Sequence, residues 1–150
     1  MKRTLLPYIV AALCLTTSCS LMTPPPIIKK VTSATLLDTH WRLTRLGEQL
    51  VQNPVGANAV HITLQSQNTN VTGNSGCNRM FGRYALENDM LKFDGLGGTK
   101  MFCEARMDLE QRFTNALMSV MRWKITGTML ELLDERGIAV ATFEASPATG

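Results

Sequence analysis

The sequence predicts an α+β domain: an antiparallel, strongly curved β-sheet, a half-barrel meander of about eight strands, covered by one α-helix. Three observations support this fold class. Apolar residues alternate with polar ones along most of the chain after residue 36, turn residues separate the alternating segments, and one segment repeats its apolar residues at helical spacing. A lone helix has one apolar face to bury, so we expect it to cover the open face of the sheet.

The alternating segments are short, and each places its apolar residues on one side. Val60, Ile62 and Leu64 alternate with polar residues, as in a strand with one buried face. Turns rich in Gly, Asn and Asp lie between such segments, which is typical of consecutive hairpins. The apolar positions of the other predicted strands are Trp41, Leu43, Leu91, Phe93, Trp123, Ile125, Leu130, Leu132, Ile138, Val140 and Phe143.

The helical segment runs from about Glu104 to Met121 and contains no Gly or Pro. Its apolar residues recur at steps of three and four, which is the spacing of one helix face. We expect the buried face to consist of Leu109, Phe113, Ala116, Leu117 and Val120.

Residues 1–18 have the three parts of a secretory signal peptide. Lys2 and Arg3 precede an uncharged apolar run over residues 5–15, and small polar residues follow it. As a helix this run would span only about 16 Å, roughly half of a bilayer core. We therefore expect these residues to be removed rather than to cross a membrane.

Cys19 follows the small residue Ser18, and this arrangement resembles the signal of bacterial lipoproteins, in which the cysteine is acylated and becomes the new amino terminus. Several acyl chains together hold a protein permanently on a bilayer. In such lipoproteins an aspartate after the cysteine retains the protein at the inner membrane. Ser20 occupies that position here, which implies the outer membrane and a domain that faces the periplasm.

The mature chain is expected to have three parts. Residues 19–35 begin with the lipidated cysteine and are rich in Pro, Thr and Ser, which favours an extended, flexible tether. Residues 36–145 form the folded domain, and residues 146–150 form a short tail.

The charge balance excludes a role that depends on a strong basic field. Removal of Lys2 and Arg3 lowers the basic count from 15 to 13, against 12 acidic residues. A net charge near +1 does not attract nucleic acid, so we expect no nucleic-acid partner. The expected partners are the membrane, through the anchor, and an envelope protein.

Two cysteines, Cys77 and Cys103, remain after processing, and an exported protein meets an oxidising compartment. We expect them to form a disulfide that stabilises the fold by roughly 3 to 4 kcal/mol on a chain-entropy estimate. A redox-active pair would need a spacing such as Cys-x-x-Cys. A metal site that combines these thiols with His40 and His61 is disfavoured, because both histidines lie on the polar side of strand-like segments.

The segment Gly73-Asn74-Ser75-Gly76-Cys77-Asn78-Arg79-Met80-Phe81-Gly82-Arg83-Tyr84 is more specific than a generic turn. It is followed by Thr99-Lys100-Met101-Phe102-Cys103 and by Glu110 with Phe113 and Leu117. With the opening Trp41-Arg42-Leu43, these elements resemble the META domain, the domain of the bacterial heat-shock protein HslJ and its lipoprotein relatives. The resemblance implies envelope or stress phenotypes, without agreed catalytic residues or a known ligand.

The Gly-Cys-Asn element permits two interpretations. In the favoured one it is a structural turn, in which glycines allow close backbone approach, Cys77 staples the loop, and Phe81 and Tyr84 anchor it in the core. In the other it forms a binding surface, composed of Asn74, Asn78, Arg79 and Arg83.

No catalytic set, metal site or cofactor site is predicted, because the carboxylates lie in turns or on polar strand positions. We expect a non-enzymatic outer-membrane lipoprotein that acts as a binding or structural module in envelope maintenance or stress tolerance. One alternative is a carrier of a lipid or hydrophobic small molecule, in a half-barrel cavity lined by Phe113 and Leu117. Another is an inhibitor or chaperone of an envelope protein.

Overall fold

The computed structural model describes residues 33–53 and 59–146. The predicted signal peptide, the lipidated Cys19 and most of the tether and tail lie outside the described residues. The described elements are β1 (His40–Leu46), β2 (Gln49–Leu50), β3 (His61–Leu64), β4 (Asn70–Asn74), β5 (Arg79–Glu87), β6 (Met90–Gly98), α1 (Met107–Met118), β7 (Arg122–Thr126), β8 (Met129–Leu133) and β9 (Ala139–Ser146).

The strands form one antiparallel sheet that curves into a ring. Neighbours in sequence pair from β3 to β9, and β1 joins the two ends because it pairs with β3 and β9. The predicted fold class, a strongly curved antiparallel sheet with one helix, is confirmed. The ninth strand is the two-residue β2, which pairs with the end of β1 through Arg45 and Leu50.

Alternation along the strands places one side of each inside the ring. Trp41 and Leu43 of β1 and Ile62 and Leu64 of β3 are fully buried, whereas the polar residues between them face outward. The indole Nε1 of Trp41 donates to the carbonyl of Leu36 at 2.9 Å, so the polar atom of this core residue is satisfied. Burial of each large apolar side chain contributes about 1.5 to 3 kcal/mol, which makes this core the main source of stability.

The helix is shorter than predicted. A single 3-10 turn over Glu104–Arg106 precedes α1, and α1 ends at Met118 rather than Met121. From Met121 onward the backbone bonds to the sheet instead of to the helix, because the N–H of Met121 donates to the carbonyl of Leu133 on β8 at 2.8 Å. Competition from a strand partner therefore ends the helix before its apolar pattern ends.

The helix packs against β6, β9 and β1. Between β6 and β7 the strands share one residue pair, Met90 with Arg122, and α1 connects these two strands. Phe113 and Leu117 of α1 are fully buried, and Phe113 meets Phe143 of β9 edge to face at 6.1 Å between ring centroids. The predicted covering helix is thus confirmed, with its apolar face toward the core.

A β-bulge lies between β5 and β6. Phe81 pairs with Gly97 and Arg83 pairs with Asp94, so two residues of β6 oppose the single residue Gly82. One of the two is Gly95, whose φ of 59° lies in the left-handed region that favours glycine. A bulge bends the strand that carries the extra residue, so β6 is expected to bend opposite Gly82.

Candidate functional site

The turn after β4 is fully buried although it is not regular secondary structure. All residues from Asn74 to Asn78 are buried, so their backbone groups need partners within the protein. The side-chain Oδ1 of Asn74 accepts from the backbone N–H of Gly76 at 2.7 Å, and the N–H of Ser75 donates to the carbonyl of Asn78 at 2.8 Å. Gly76 has a φ of 121°, which side chains rarely tolerate.

Asn78 is the centre of a buried hydrogen-bond network. Its Oδ1 accepts from the hydroxyl of Thr99 and from the backbone N–H of Met101, both at 2.7 Å. Its Nδ2 donates to the Met101 carbonyl at 3.1 Å and to the Glu110 carboxylate at 3.0 and 3.1 Å. An asparagine amide offers two acceptor and two donor positions, and here all four are used.

The predicted pairing of Cys77 with Cys103 is present in the structure, as a disulfide with 5.8 Å between the Cα atoms. The disulfide and the Asn78 hydrogen bonds hold the same loop, residues 99–103. The disulfide fixes the loop at Cys103, and Asn78 fixes it at Thr99 and Met101. Met101 and Phe102 project from this loop and are 58% and 80% exposed. The loop is therefore fixed from the inside while its apolar side chains face solvent.

The structure separates the four residues of the predicted binding surface. Asn74 and Asn78 are buried at 8% and 2% exposure, and both serve the internal network. Arg79 and Arg83 are exposed on the outer side of β5. The two asparagine side chains thus support the surface from within, and the two arginines form part of it.

One anchoring prediction is wrong. Tyr84 is buried and its hydroxyl donates to the Gln65 carbonyl at 2.8 Å, but Phe81 is 56% exposed. Alternation along β5 explains the difference, because Met80 and Tyr84 point inward and residues at odd numbers point outward. We call Arg79, Phe81 and Arg83 the β5 stripe.

The β5 stripe carries two arginines that form no ion pair with any residue in the described part of the chain. Neither guanidinium forms an ion pair or a side-chain hydrogen bond there. Asp94 pairs with Arg83 across the strands without forming an ion pair. Beside the stripe is a cleft of about 270 Å³, lined by Asn70, Val71, Thr72, Phe81, Gly82, Arg83 and Gly95.

The space beneath the helix, where the carrier alternative places its ligand, is occupied by side chains. Phe113 and Leu117 have no exposed surface and belong to one continuous core with Trp41, Leu91 and Phe143. Cores packed to this extent leave few voids larger than water. The filled core beneath the helix argues against the carrier alternative.

Sequence reasoning missed a pair of stacked histidines. His40 and His61 lie with their ring centroids 4.2 Å apart on the outer side of β1 and β3. Partial burial lowers the pKa of His40, and the neighbouring His61 lowers it further. Each residue was correctly placed on a polar strand face, but their proximity depends on the β1–β3 register, in which Arg42 pairs with His61.

Among residues 33–53 and 59–146 no group of three or more His, Cys, Asp or Glu side chains is arranged to hold a metal ion. Over the same residues, none of the helices has the length and apolar character that a bilayer span requires.

Comparison with solved structures supports the fold. The NMR structure of a protein from Burkholderia xenovorans matches with a TM-score of 0.59 and 31% identity, over 74% of this chain and 83% of that one. A second NMR structure matches with a TM-score of 0.58 and 21% identity, over 75% of this chain and 95% of that one. The comparison with curated proteins found no match.

These matches define the chain as a curved antiparallel sheet closed by one helix, a class in which both solved relatives fall. The META domain profile matches residues 34–147, which is most of the chain and includes every described strand. The chain belongs to the META domain family.

Proposed function

We propose that this protein is an outer-membrane lipoprotein whose META domain faces the periplasm and acts as a non-enzymatic binding module in envelope maintenance or stress tolerance. The leader, Cys19 and Ser20 support the anchor and its location. The disulfide between Cys77 and Cys103 supports export, because structural disulfides persist mainly in oxidising compartments.

The main support for a binding role is that the polar groups of the site fall into two sets, one buried and bonded within the protein and the other exposed to solvent. Inside, Asn78 and Glu110 bond to each other, and Asn78 also holds the loop. Outside, the β5 stripe offers an exposed aromatic ring and two cations without an ion pair among residues 33–53 and 59–146. Arg and aromatic side chains are enriched among the residues that contribute most to binding at protein interfaces, and a fixed backbone beneath them reduces the loop freedom lost on binding.

The anchor is tested by metabolic labelling with radioactive palmitate and by membrane fractionation. Cys14 lies within the apolar run of the leader and serves as the control. We expect label in the wild-type protein and in Cys14→Ser, but none in Cys19→Ser, and we expect the labelled protein in outer-membrane fractions. Equal labelling of Cys19→Ser, or recovery of the wild-type protein in the inner membrane, would contradict the proposed location.

The envelope role is tested by complementation of a deletion strain under heat and detergent stress. The wild-type gene should restore survival, whereas the triple variant Arg79→Gln, Phe81→Ser, Arg83→Gln should not, at equal protein abundance. The matched control combines Arg122→Gln with Ile138→Ser. Both residues are exposed but lie away from the β5 stripe, since Arg122 is on β7 and Ile138 directly precedes β9. Full rescue by the triple variant, or a deletion strain with normal survival, would contradict the role.

A further inference from the structure

We infer that the cleft beside the β5 stripe binds one ring of a carboxylated sugar, with the ring face on Phe81 and the carboxylate on Arg83. This inference rests on the proposed binding function and assigns its ligand class. The cleft lies on the outer side of three adjacent strands, at the bulge where Gly95 and Leu96 oppose Gly82.

Phe81 provides an apolar platform in this cleft. Its ring is 56% exposed, and it rests over Gly97, where an added Cβ would lie 3.3 Å from Cε2 of Phe81. The C–H face of a sugar ring is apolar and carries slight positive charge, so it complements the negative face of an aromatic ring. A ligand that stacks here needs a flat apolar side, which a six-membered sugar ring has.

Polar side chains surround the platform at cross-strand positions. Thr72 of β4 pairs with Phe81, and Asn70 of β4 pairs with Arg83. Both are partly exposed on the same outer face, where their hydroxyl and amide groups can bond to the hydroxyl groups of a sugar. A sugar hydroxyl can both donate and accept a hydrogen bond, as the hydroxyl of Thr72 and the amide of Asn70 can. A carboxylate only accepts, so it would match these two side chains less well.

The charge at the cleft favours an anion. Arg83 lines the cleft, and Arg79 and Glu87 lie four residues to either side of it on the same face of β5. Asp94 is the facing carboxylate on β6, and Lys92 lies two residues from Asp94. The sum of these charges is positive. A guanidinium matches the two oxygens of a carboxylate with parallel N–H donors, so Arg83 is suited to hold an acidic sugar.

The strand pairing argues against an extended peptide in the same place. Strand β5 pairs with β4 on one side and β6 on the other, so its backbone groups are not available for strand addition. The cleft volume of about 270 Å³ lies just below the usual range of small-molecule pockets, which suits a single ring. Recognition must therefore come from the outward side chains.

Calorimetric titration of the purified full chain with trigalacturonate tests the inference, with a neutral trisaccharide and a glutamate tripeptide as matched ligands. We expect saturable binding of trigalacturonate that weakens with added salt, and binding at least about tenfold weaker for both comparison ligands. Phe81→Ala and Arg83→Gln should each raise Kd about three- to tenfold, and Asp94→Asn should lower it. The control Ile138→Ala should leave Kd unchanged.

Three results would overturn the inference. Equal affinity for the neutral trisaccharide would show that the carboxylate is not recognised. Equal affinity for the glutamate tripeptide would make the stripe a site for acidic peptides. No binding at millimolar trigalacturonate would show that the cleft does not bind an acidic sugar. Each variant is checked by thermal unfolding, and the changed side chains are exposed, so loss of binding is separable from loss of folding. Palmitate labelling and rescue by the wild-type gene test the proposed function without any sugar ligand, so a failure to bind trigalacturonate while labelling and rescue succeed would overturn this inference alone.

Discussion

The amide Nδ2 of Asn78 lies 3.1 Å from Oε1 and 3.0 Å from Oε2 of Glu110, and this contact joins the buried turn after β4 to the covering helix. Hydrogen bonds to an ionised group are stronger than neutral ones. The same amide also fixes the loop before the helix, through Thr99 and Met101. One side chain therefore joins the turn, the loop and the helix.

Replacement of Asn78 by Ala should destabilise the fold by about 3 kcal/mol, because it leaves several buried polar groups without partners. Urea unfolding measures this change. Asn115→Ala, at an exposed helix position, should cost less than about 1 kcal/mol and serves as the control. A loss for Asn78→Ala no larger than for the control would show that the network contributes little.

Asn78→Asp tests the role of the Glu110 charge. The new carboxylate would lie against that of Glu110, so two like charges would share a partly buried site. We expect a larger loss of stability near neutral pH than for Asn78→Ala, because the alanine leaves polar groups without partners whereas the aspartate also adds repulsion between like charges. Urea unfolding measures both losses, and a loss for Asn78→Asp no larger than that for Asn78→Ala would argue against this account.

Loss of the disulfide should lower the free energy of unfolding by about 3 to 4 kcal/mol, since Cys77 and Cys103 close a loop with a sequence separation of 26 residues. The double variant Cys77→Ser, Cys103→Ser gives this value by urea unfolding. Reductant should destabilise the wild-type protein to the same level and leave the double variant unchanged. Wild-type stability that does not respond to complete reduction would contradict the structural role of the bridge.

Gly95→Ala should destabilise the protein by about 1 to 2 kcal/mol, because alanine is strained at a φ of 59°. The cost isolates backbone strain, since nothing lies within 4 Å of a Cβ at this position. Gly95→Asn should cost less, because asparagine enters the left-handed region more readily. Thermal unfolding that ranks Asn below Ala in stability would show that the bulge conformation is not the cause.

Stability should fall as the pH drops below the ordinary histidine pKa of 6.5. Partial burial first, and His61 second, lower the pKa of His40 in the folded state, so the unfolded state takes up the proton at higher pH. The stability present above 6.5 is therefore lost as the pH falls toward the lower folded value. Urea unfolding at about pH 7.5 and about pH 5.5 should show a drop that is smaller in His40→Gln; an identical drop would exclude His40 as its source.

The fold was largely predictable because local patterns carry it. Alternation at Val60, Ile62 and Leu64 identifies a strand with one buried face, and the spacing of Phe113 and Leu117 identifies the helix. The closure of the sheet into a ring was not predictable in this way. It depends on the pairing of β1 with β9, which lie about a hundred residues apart in the chain.

The site was predicted less completely, because register decides which side chains share a face. Phe81 is apolar, so its residue type alone predicts a place in the core. Met80 and Tyr84 point inward, however, and alternation along β5 then directs Phe81 toward solvent. The proximity of His40 and His61 likewise follows from register and not from the composition of either strand. Fixed turn residues such as Gly76 and Asn78 were recognisable, whereas the partners of Asn78 come from distant segments.

The most direct test of the account is site-specific crosslinking in intact cells. A photoreactive phenylalanine analogue at position 81 should give defined crosslinked products, and the same analogue at position 138 should not. The two sites are matched, since Phe81 and Ile138 are 56% and 53% exposed. Products at position 81 that disappear when Arg79 and Arg83 are changed to Gln are the predicted result, and equal products at both positions, or none at 81, would contradict a binding face on β5.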